Sequence, residues 1–189
     1  DLDIEQGEIM ALVGESGCGK TTLGKIITGL LDATSGTVKF NGNDIVSCSK
    51  KDKKEYRKSV QFIQQDSYAA LNPVKKIYSS LYTPIKANNR KLSGPEIDAL
   101  IVKYLEMVGL TPASLFLEKY PHQLSGGQRQ RVLIARVLSL NPKLIVADEP
   151  ISMIDVSLRL SILQLLSELN QKLGLTIVYI THDLSTVKY

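Results

Sequence analysis

The stretch Gly14-Glu15-Ser16-Gly17-Cys18-Gly19-Lys20-Thr21 restricts this chain more than any other. It lies between the apolar run Ile9 to Val13 and a helix-patterned segment from Thr22 to Gly29. A buried strand that feeds a glycine-rich turn and then a helix points successive backbone N–H groups at one spot, where the positive end of the helix dipole also lies. Polyphosphate matches such a cradle. Gly14, Glu15, Ser16, Gly17, Cys18 and Gly19 would form its wall, and Lys20 can reach the β- and γ-phosphates as a point charge. The Thr21 hydroxyl is placed to ligate a magnesium ion shared by those phosphates, and Thr22 is the lesser candidate, with a structural role the simpler reading.

Composition then narrows the class. At 189 residues the chain suits one domain, or one core with a substantial insertion, and can bury a real hydrophobic centre. Its formal charge of +4 is spread among interleaved acids and bases, apart from the cluster Lys50 to Lys58. That cluster could face nucleic acid or lipid head groups, but a solvated helix face is the plainer reading, and nucleic acid is not expected as a partner. Two cysteines, Cys18 and Cys48, give no disulfide framework, which fits a reducing compartment. No apolar run reaches the length of a membrane span, and no basic-then-apolar leader opens the chain.

The alternation of Asp1-Leu2-Asp3-Ile4-Glu5 predicts an exposed strand, and Gln6-Gly7 a turn into the apolar strand. Asn41-Gly42-Asn43 between Thr37–Phe40 and Asp44–Val46 predicts a peripheral β-hairpin, because Asn-Gly supplies the positive φ angles of a tight turn. Ser59 to Ile63 reads as a short strand leading to Gln64-Gln65-Asp66. From about Pro73 to Leu117 the pattern becomes helical: Ile97, Ile101, Tyr104, Leu105 and Val108 share one face, with Ser93 and Glu96 as a capping box and Gly109 as the stop. Leu144-Ile145-Val146-Ala147 is a fully apolar strand ending in Asp148-Glu149. A long helix follows, striped by Leu158, Ile162, Leu165, Leu166, Leu169 and Leu173, and Leu175 to Ile180 is the last clear strand, delivering Thr181-His182-Asp183. Asp183 opens a further element. Strands alternating with helices imply a mostly parallel α/β sheet with ligands beyond its carboxyl edge. The expected division is a P-loop NTPase (RecA-like) core over 1–65 and 141–189, interrupted by a helical subdomain over 66–140.

Two further groups carry chemistry. A carboxylate at the tip of an apolar strand can hold a magnesium-bound water while its neighbour polarises the attacking water, so Asp148 takes the metal role and Glu149 the base role. Leu124-Ser125-Gly126-Gly127-Gln128 opens a helix with a hydroxyl, free N–H groups and a helix dipole all aimed one way, a second phosphate-ready site whose plain alternative is an ordinary N-cap.

With these segments in one chain and in this order, the sequence resembles the ATPase domain of ATP-binding cassette (ABC) transporters over essentially its whole length. The matching segments are Gly14 to Thr21 as Walker A, Gln65 as the Q-loop glutamine, Leu124 to Gln128 as the signature, Leu144 to Glu149 as Walker B, Ser152 to Asp155 as the D-loop and His182 as the switch histidine. Within the family, Gln65-Asp66-Ser67-Tyr68-Ala69-Ala70-Leu71-Asn72-Pro73 and Tyr120-Pro121-His122-Gln123 are similar to the oligopeptide and dipeptide importer group, with Ser67 where proline is common, Ala70 where serine is common, and Met153-Ile154 where Ala-Leu is frequent. The resemblance implies ATP and Mg2+ as cofactors and a head-to-tail dimer, homo- or heteromeric, in which Ser125, Gly126, Gly127 and Gln128 of one subunit close over ATP held by Lys20 of the other. It implies that Gln65 touches the metal, that His182 holds the γ-phosphate and that Asp155 communicates across the dimer. The implied setting is the cytoplasmic face of the membrane, against transmembrane permease subunits and, indirectly, an extracytoplasmic solute-binding protein.

The family's adenine-stacking aromatic lies upstream of the Walker A strand and a tail lies beyond the switch histidine. The chain therefore reads as a fragment truncated at both ends, with weakened adenine affinity and hydrolysis as the expectation. Two rival readings are a soluble ABC-type ATPase acting on DNA or ribosomes, opposed in its DNA-repair form by the lack of a long heptad run, and a nucleotide sensor without turnover, opposed by Glu149 and His182.

Overall fold

A computed structural model describes residues 1–188, which fall into two compact units. The first comprises Asp1–Ile63, Pro142–Glu149 and the chain from Leu166 onward; the second comprises Gln64–Asn141 and Pro150–Leu165.

In the first unit, strand β1 (Ile9–Val13) delivers the chain to the glycine-rich loop and helix α1 (Lys20–Ile27) carries it away. Strands β2 (Lys39–Phe40) and β3 (Asn43–Asp44) form the hairpin, shorter than its sequence pattern, with Asn41 and Gly42 at φ 51° and 78° as the turn demands. Helix α2 (Lys50–Ser59) runs directly into β4 (Val60–Ile63), and β5 (Leu144–Asp148) and β6 (Thr176–Thr181) complete a sheet of order β1-β6-β5-β4, parallel throughout. The two central strands are buried along their full lengths, which is why they read as unbroken apolar runs rather than as alternation. Edge strand β1 alternates exposed and half-buried residues instead.

Register decides where the loops emerge. Val13 pairs with Thr181, and Asp148 with Ile180, so Gly14, Glu149 and His182 all leave the sheet at one carboxyl edge. Beneath them Ile27, Ile45, Tyr56, Val60, Val146, Val178 and Ile180 form the core, each worth about 1.5–3 kcal/mol if fully buried. At the other edge the Asn170 amide donates to the carbonyls of Gly7 and Leu175, and the Gly7 N–H donates to the Thr176 hydroxyl. The strand expected over Asp1–Glu5 is not formed: those residues have no regular structure, since alternation over five residues does not by itself supply the ladder hydrogen bonds that make a strand. The element expected from Asp183 is a 3-10 helix over Leu184–Lys188, with Tyr189 outside the described residues.

The second unit is helical: α3 (Ser67–Ala70), α4 (Ile77–Asn88), α5 (Gly94–Met107), α6 (Ser114–Leu117) and α7 (Gly126–Leu138). Helix α5 starts as its sequence predicts, with the Glu96 carboxylate accepting from both the backbone N–H and the hydroxyl of Ser93, and Gly109 ends it at φ 78°. Ile77, Leu81, Ile85, Ile97, Ile101 and Leu105 are fully enclosed. This unit also takes Pro150–Leu165, a segment that sequence patterning assigns to the core, together with the first part of helix α8 (Val156–Leu173). The α8 stripe is buried at Ile162, Leu165, Leu166 and Leu169 and exposed at its ends, Leu158 and Leu173. No described helix is long and apolar enough to cross a membrane.

Candidate nucleotide site

The glycine-rich loop needs its glycines for two different reasons. Gly17 and Gly19 sit at φ 84° and 96°, a region that disfavours side chains, whereas a Cβ on Gly14 would lie 2.9 Å from Cys18 Sγ. Lys20 is buried and folded across the loop, its Nζ donating to the carbonyls of Gly14 at 2.7 Å and Glu15 at 2.6 Å, with Cys18 Sγ at 3.5 Å. The ammonium thus ties the start of the loop to its end and stands within the curve of the loop. The loop N–H groups from Glu15 to Gly19 belong to exposed residues.

Thr21 and Asp148 meet. The Thr21 hydroxyl lies beside the Asp148 carboxylate, near enough to favour its charged form, where the first turn of α1 approaches the tip of β5. Asp148 is buried, and that desolvation raises its carboxyl above the usual carboxylate range; the Thr21 hydroxyl lowers it, the Glu149 charge raises it, and Lys25 and Lys20 lower it. A hydroxyl and a carboxylate whose charge is underpaid by its surroundings are the hard oxygen donors that Mg2+ takes alongside phosphate oxygens. Thr22 is exposed one residue on.

Glu149 adopts φ 45°, rare for a side-chain-bearing residue and a mark of functional sites. Its N–H is fixed on the Ile180 carbonyl at 3.0 Å, and its Oε1 lies 2.7 Å from His182 Nδ1. An ionised carboxylate only accepts, so Nδ1 carries the proton and Nε2 is left for another partner. The His182 side chain is 53% exposed and that of Glu149 16%, so the imidazole stands at the mouth and the carboxylate behind it. Sequence reasoning gives each residue a role but not this mutual contact, which arises from the parallel register of β5 and β6.

The remaining sequence-predicted residues lie in the second unit. Ser125 is the N-cap of α7: its hydroxyl accepts from Gln128 N–H at 3.3 Å, and Gln128 Oε1 accepts from Ser125 N–H at 3.1 Å. The plain capping reading is therefore true of the chain as it stands. Gly126 and Gly127 are needed for close packing, since a Cβ would come 3.1 Å from the Met153 carbonyl in one case and 3.2 Å from Leu158 Cδ1 in the other. Gln65 and Asp155 are exposed, and the Asp155 carbonyl accepts from Leu158 N–H at 2.8 Å.

One group went unread in the sequence. Arg129 is buried, its Nη1 donating to the carbonyls of Leu124 at 2.8 Å and Pro121 at 3.3 Å, and its guanidinium carbon stands 3.6 Å over the Tyr68 ring. A charged residue so enclosed must be held by such acceptors and π-face, and it fixes the segment that enters Ser125. Nothing in the sequence marks it out, since Arg131 and Arg136 stand on the same helix.

The comparisons with known proteins agree with this geometry. Residues 1–152 match the family described as ABC transporter. The dipeptide transport ATP-binding protein DppF of Haemophilus influenzae is 45% identical over 188 residues, covering 100% of this chain and 57% of that protein. The oligopeptide transport ATP-binding protein AppF of Bacillus subtilis is 43% identical over 189 residues, covering 100% and 56%. The chain thus spans rather more than half the length of these curated relatives. Among solved structures, the dimeric ATP-binding cassette MJ0796 in a post-hydrolysis state bound to ADP and Pi has a TM-score of 0.85 at 34% identity, covering 98% of this chain and 79% of that one. The structure of cbiO1 from Clostridium perfringens, part of the ABC transporter complex cbiONQ, has a TM-score of 0.85 at 33% identity, covering 98% and 71%. With its Walker A loop, Asp-Glu strand end and α/β P-loop NTPase core in one register, this chain belongs to the ABC transporter family.

Proposed function

We propose that this chain is the ATP-binding and ATP-hydrolysing cassette of a transporter that imports oligopeptides or dipeptides. The observation that carries the reading is the carboxyl edge of the sheet, where the Lys20 loop, the Thr21–Asp148 pair and the Glu149–His182 pair emerge side by side. A loop that only gripped nucleotide would need the first alone. Peptide import is supported by relatives such as DppF and AppF, whose names specify dipeptide and oligopeptide transport, and no observation favours the DNA or ribosome alternative.

Lys20 exchanges the Gly14 and Glu15 carbonyls for phosphate oxygens, while the loop N–H groups and the α1 dipole hold the remaining charge. Thr21, Asp148 and, by the family resemblance, Gln65 would hold magnesium, which would supply positive charge to offset that of the phosphates. His182, with Nδ1–H anchored on Glu149, presents Nε2 toward the γ-phosphate, and Glu149 accepts the proton of the attacking water, a role worth about 10²–10⁴ in rate. Hydrolysis waits for closure in a head-to-tail dimer, in which Ser125, Gly126, Gly127 and Gln128 of a second cassette cover the nucleotide, Asp155 signals across the pair, and water is excluded. MJ0796 was solved as a dimer. Permease subunits and a solute-binding protein complete the assembly at the cytoplasmic face of the membrane.

The test is ATP hydrolysis by purified protein with and without Mg2+, beside Lys20→Ala. Turnover that requires Mg2+ and vanishes in the variant together with nucleotide binding is the expected result; nucleotide binding unaffected by loss of Lys20 would overturn the site.

A further inference from the structure

Helix α2 holds a feature that ATP hydrolysis does not use. Lys50–Ser59 contains six cations, Lys50, Lys51, Lys53, Lys54, Arg57 and Lys58, and two carboxylates, Asp52 and Glu55. Its net charge of +4 equals that of the whole chain, so elsewhere seventeen basic residues balance seventeen acidic ones. Ten residues therefore hold the entire imbalance.

The charges are also sorted by face. With 3.6 residues per turn, all six cations fall within an arc of about 160°, while Asp52, Glu55 and the buried Tyr56 and Ser59 occupy the opposite arc. Asp52 is engaged by its own cap: the Ser49 hydroxyl donates to its carboxylate at 2.7 Å and accepts from its N–H at 3.2 Å. Lys50, Lys51, Lys54 and Arg57 are exposed, and among the described residues none of the six is in an ion pair. A solvated helix face gains from cations in its last turn, but gains nothing from Lys50 and Lys51 in its first turn, where the helix dipole is positive. Those two oppose helix formation and need another reason.

We propose that the basic face of α2 is an electrostatic contact for anionic lipid head groups. The polyanion it fits is a broad, diffuse one, since five of the six cations are lysine ammoniums, point charges on flexible stems spread along the helix. The one aromatic of the helix, Tyr56, is turned into the core, so no ring stands among the cations to stack on a base, which disfavours single-stranded nucleic acid. Equally, no apolar side chain projects from the charged arc, so the contact lies at head-group level and does not insert. The choice of lipid as the anion rests on the reading of the chain as a transporter cassette, whose work is done beside a membrane; the binding itself is independent of nucleotide.

The experiment is co-sedimentation of the protein, without nucleotide, with phosphatidylcholine vesicles that contain or lack phosphatidylglycerol. Two charge-matched variants are compared: Lys50→Gln, Lys51→Gln, Lys54→Gln and Arg57→Gln on the face, and Lys39→Gln, Arg90→Gln, Lys91→Gln and Lys103→Gln at exposed positions elsewhere. The expected result is binding only to the anionic vesicles, weakened by added salt, lost about a hundredfold or more in the first variant and kept in the second. Glutamine keeps the helix, which circular dichroism verifies. Equal loss in both variants would reduce the effect to net charge and overturn the proposal, as would no vesicle binding, or binding to an RNA oligonucleotide in preference to vesicles. Because ATP turnover is not read, these failures leave the ATPase reading standing.

Discussion

Gly24 should resist replacement even by alanine. It is a buried residue in the middle of α1, the helix that presents the phosphate loop, and a Cβ there would meet Ile180 Cδ1 at 2.9 Å, Val146 Cγ1 at 3.1 Å and Phe62 Cε2 at 3.2 Å. Two effects oppose each other. Alanine in place of mid-helix glycine stabilises by about 1 kcal/mol. Overpacking a core typically costs about 1–3 kcal/mol, and here the overlaps come from β6, β5 and β4 at once, so tilting away from one strand does not relieve the others. Gly24→Ala should therefore be destabilising by up to about 2 kcal/mol, and Gly24→Val, with a β-branched side chain and two more methyl groups, by about 2–4 kcal/mol. Urea unfolding measures both, through a lowered midpoint at unchanged slope. A helix pushed off the sheet also displaces Lys20 and Thr21, so nucleotide affinity should fall in the same order. A Gly24→Ala protein about 1 kcal/mol more stable than wild type would refute the reasoning, because propensity alone would then be acting and α1 would not lie this close to the sheet.

Asp148 and Tyr56 make predictions of pH dependence. Burial raises the folded-state pKa of Asp148, so the stability of its neutral form is present below the unfolded value and lost as pH rises through the folded one; at neutral pH the buried charge is a net cost. Asp148→Asn should raise the urea midpoint of the nucleotide-free protein at pH 7, lose that advantage in acid, and abolish the further stabilisation that Mg2+ and ATP together provide; a lower midpoint at pH 7 would contradict this. The Tyr56 hydroxyl, enclosed and donating to the Ile27 carbonyl, is pushed by burial up to about 12. Its contribution is present below pH 10 and lost between about pH 10 and 12, amounting to about 2–3 kcal/mol, so alkaline unfolding should be less steep in Tyr56→Phe, which at pH 8 costs about 1 kcal/mol for the lost bond.

Much of the fold was legible because its signals are local. The Asn41-Gly42 turn, the Ser93–Glu96 cap and the apolar β5 run each need only neighbours in sequence. What escaped depends on residues distant in sequence. The contact between Glu149 and His182 spans 33 positions and exists only because β5 and β6 are parallel in a particular register. The buried seat of Arg129 requires the Tyr68 ring and two carbonyls from the preceding segment. The placing of Pro150–Leu165 with the helical unit brings Met153 and Leu158 close to Gly126 and Gly127, which in sequence read as part of a phosphate-ready helix start and in the structure also give clearance for this packing. The opening alternation over Asp1–Glu5 shows the reverse failure, a local pattern that forms no strand.

The role of Glu149 is the centre of the account, and the direct measurement is ATP turnover together with molar mass by light scattering, for wild type and Glu149→Gln. Glutamine keeps the shape and a hydrogen bond to His182 but accepts no proton. The account predicts that turnover falls by about 10²–10⁴ while ATP binding survives, and that Glu149→Gln with ATP accumulates as a dimer that wild type forms only transiently. Unchanged turnover in Glu149→Gln would contradict it, as would a variant that binds ATP and stays monomeric at every concentration tested.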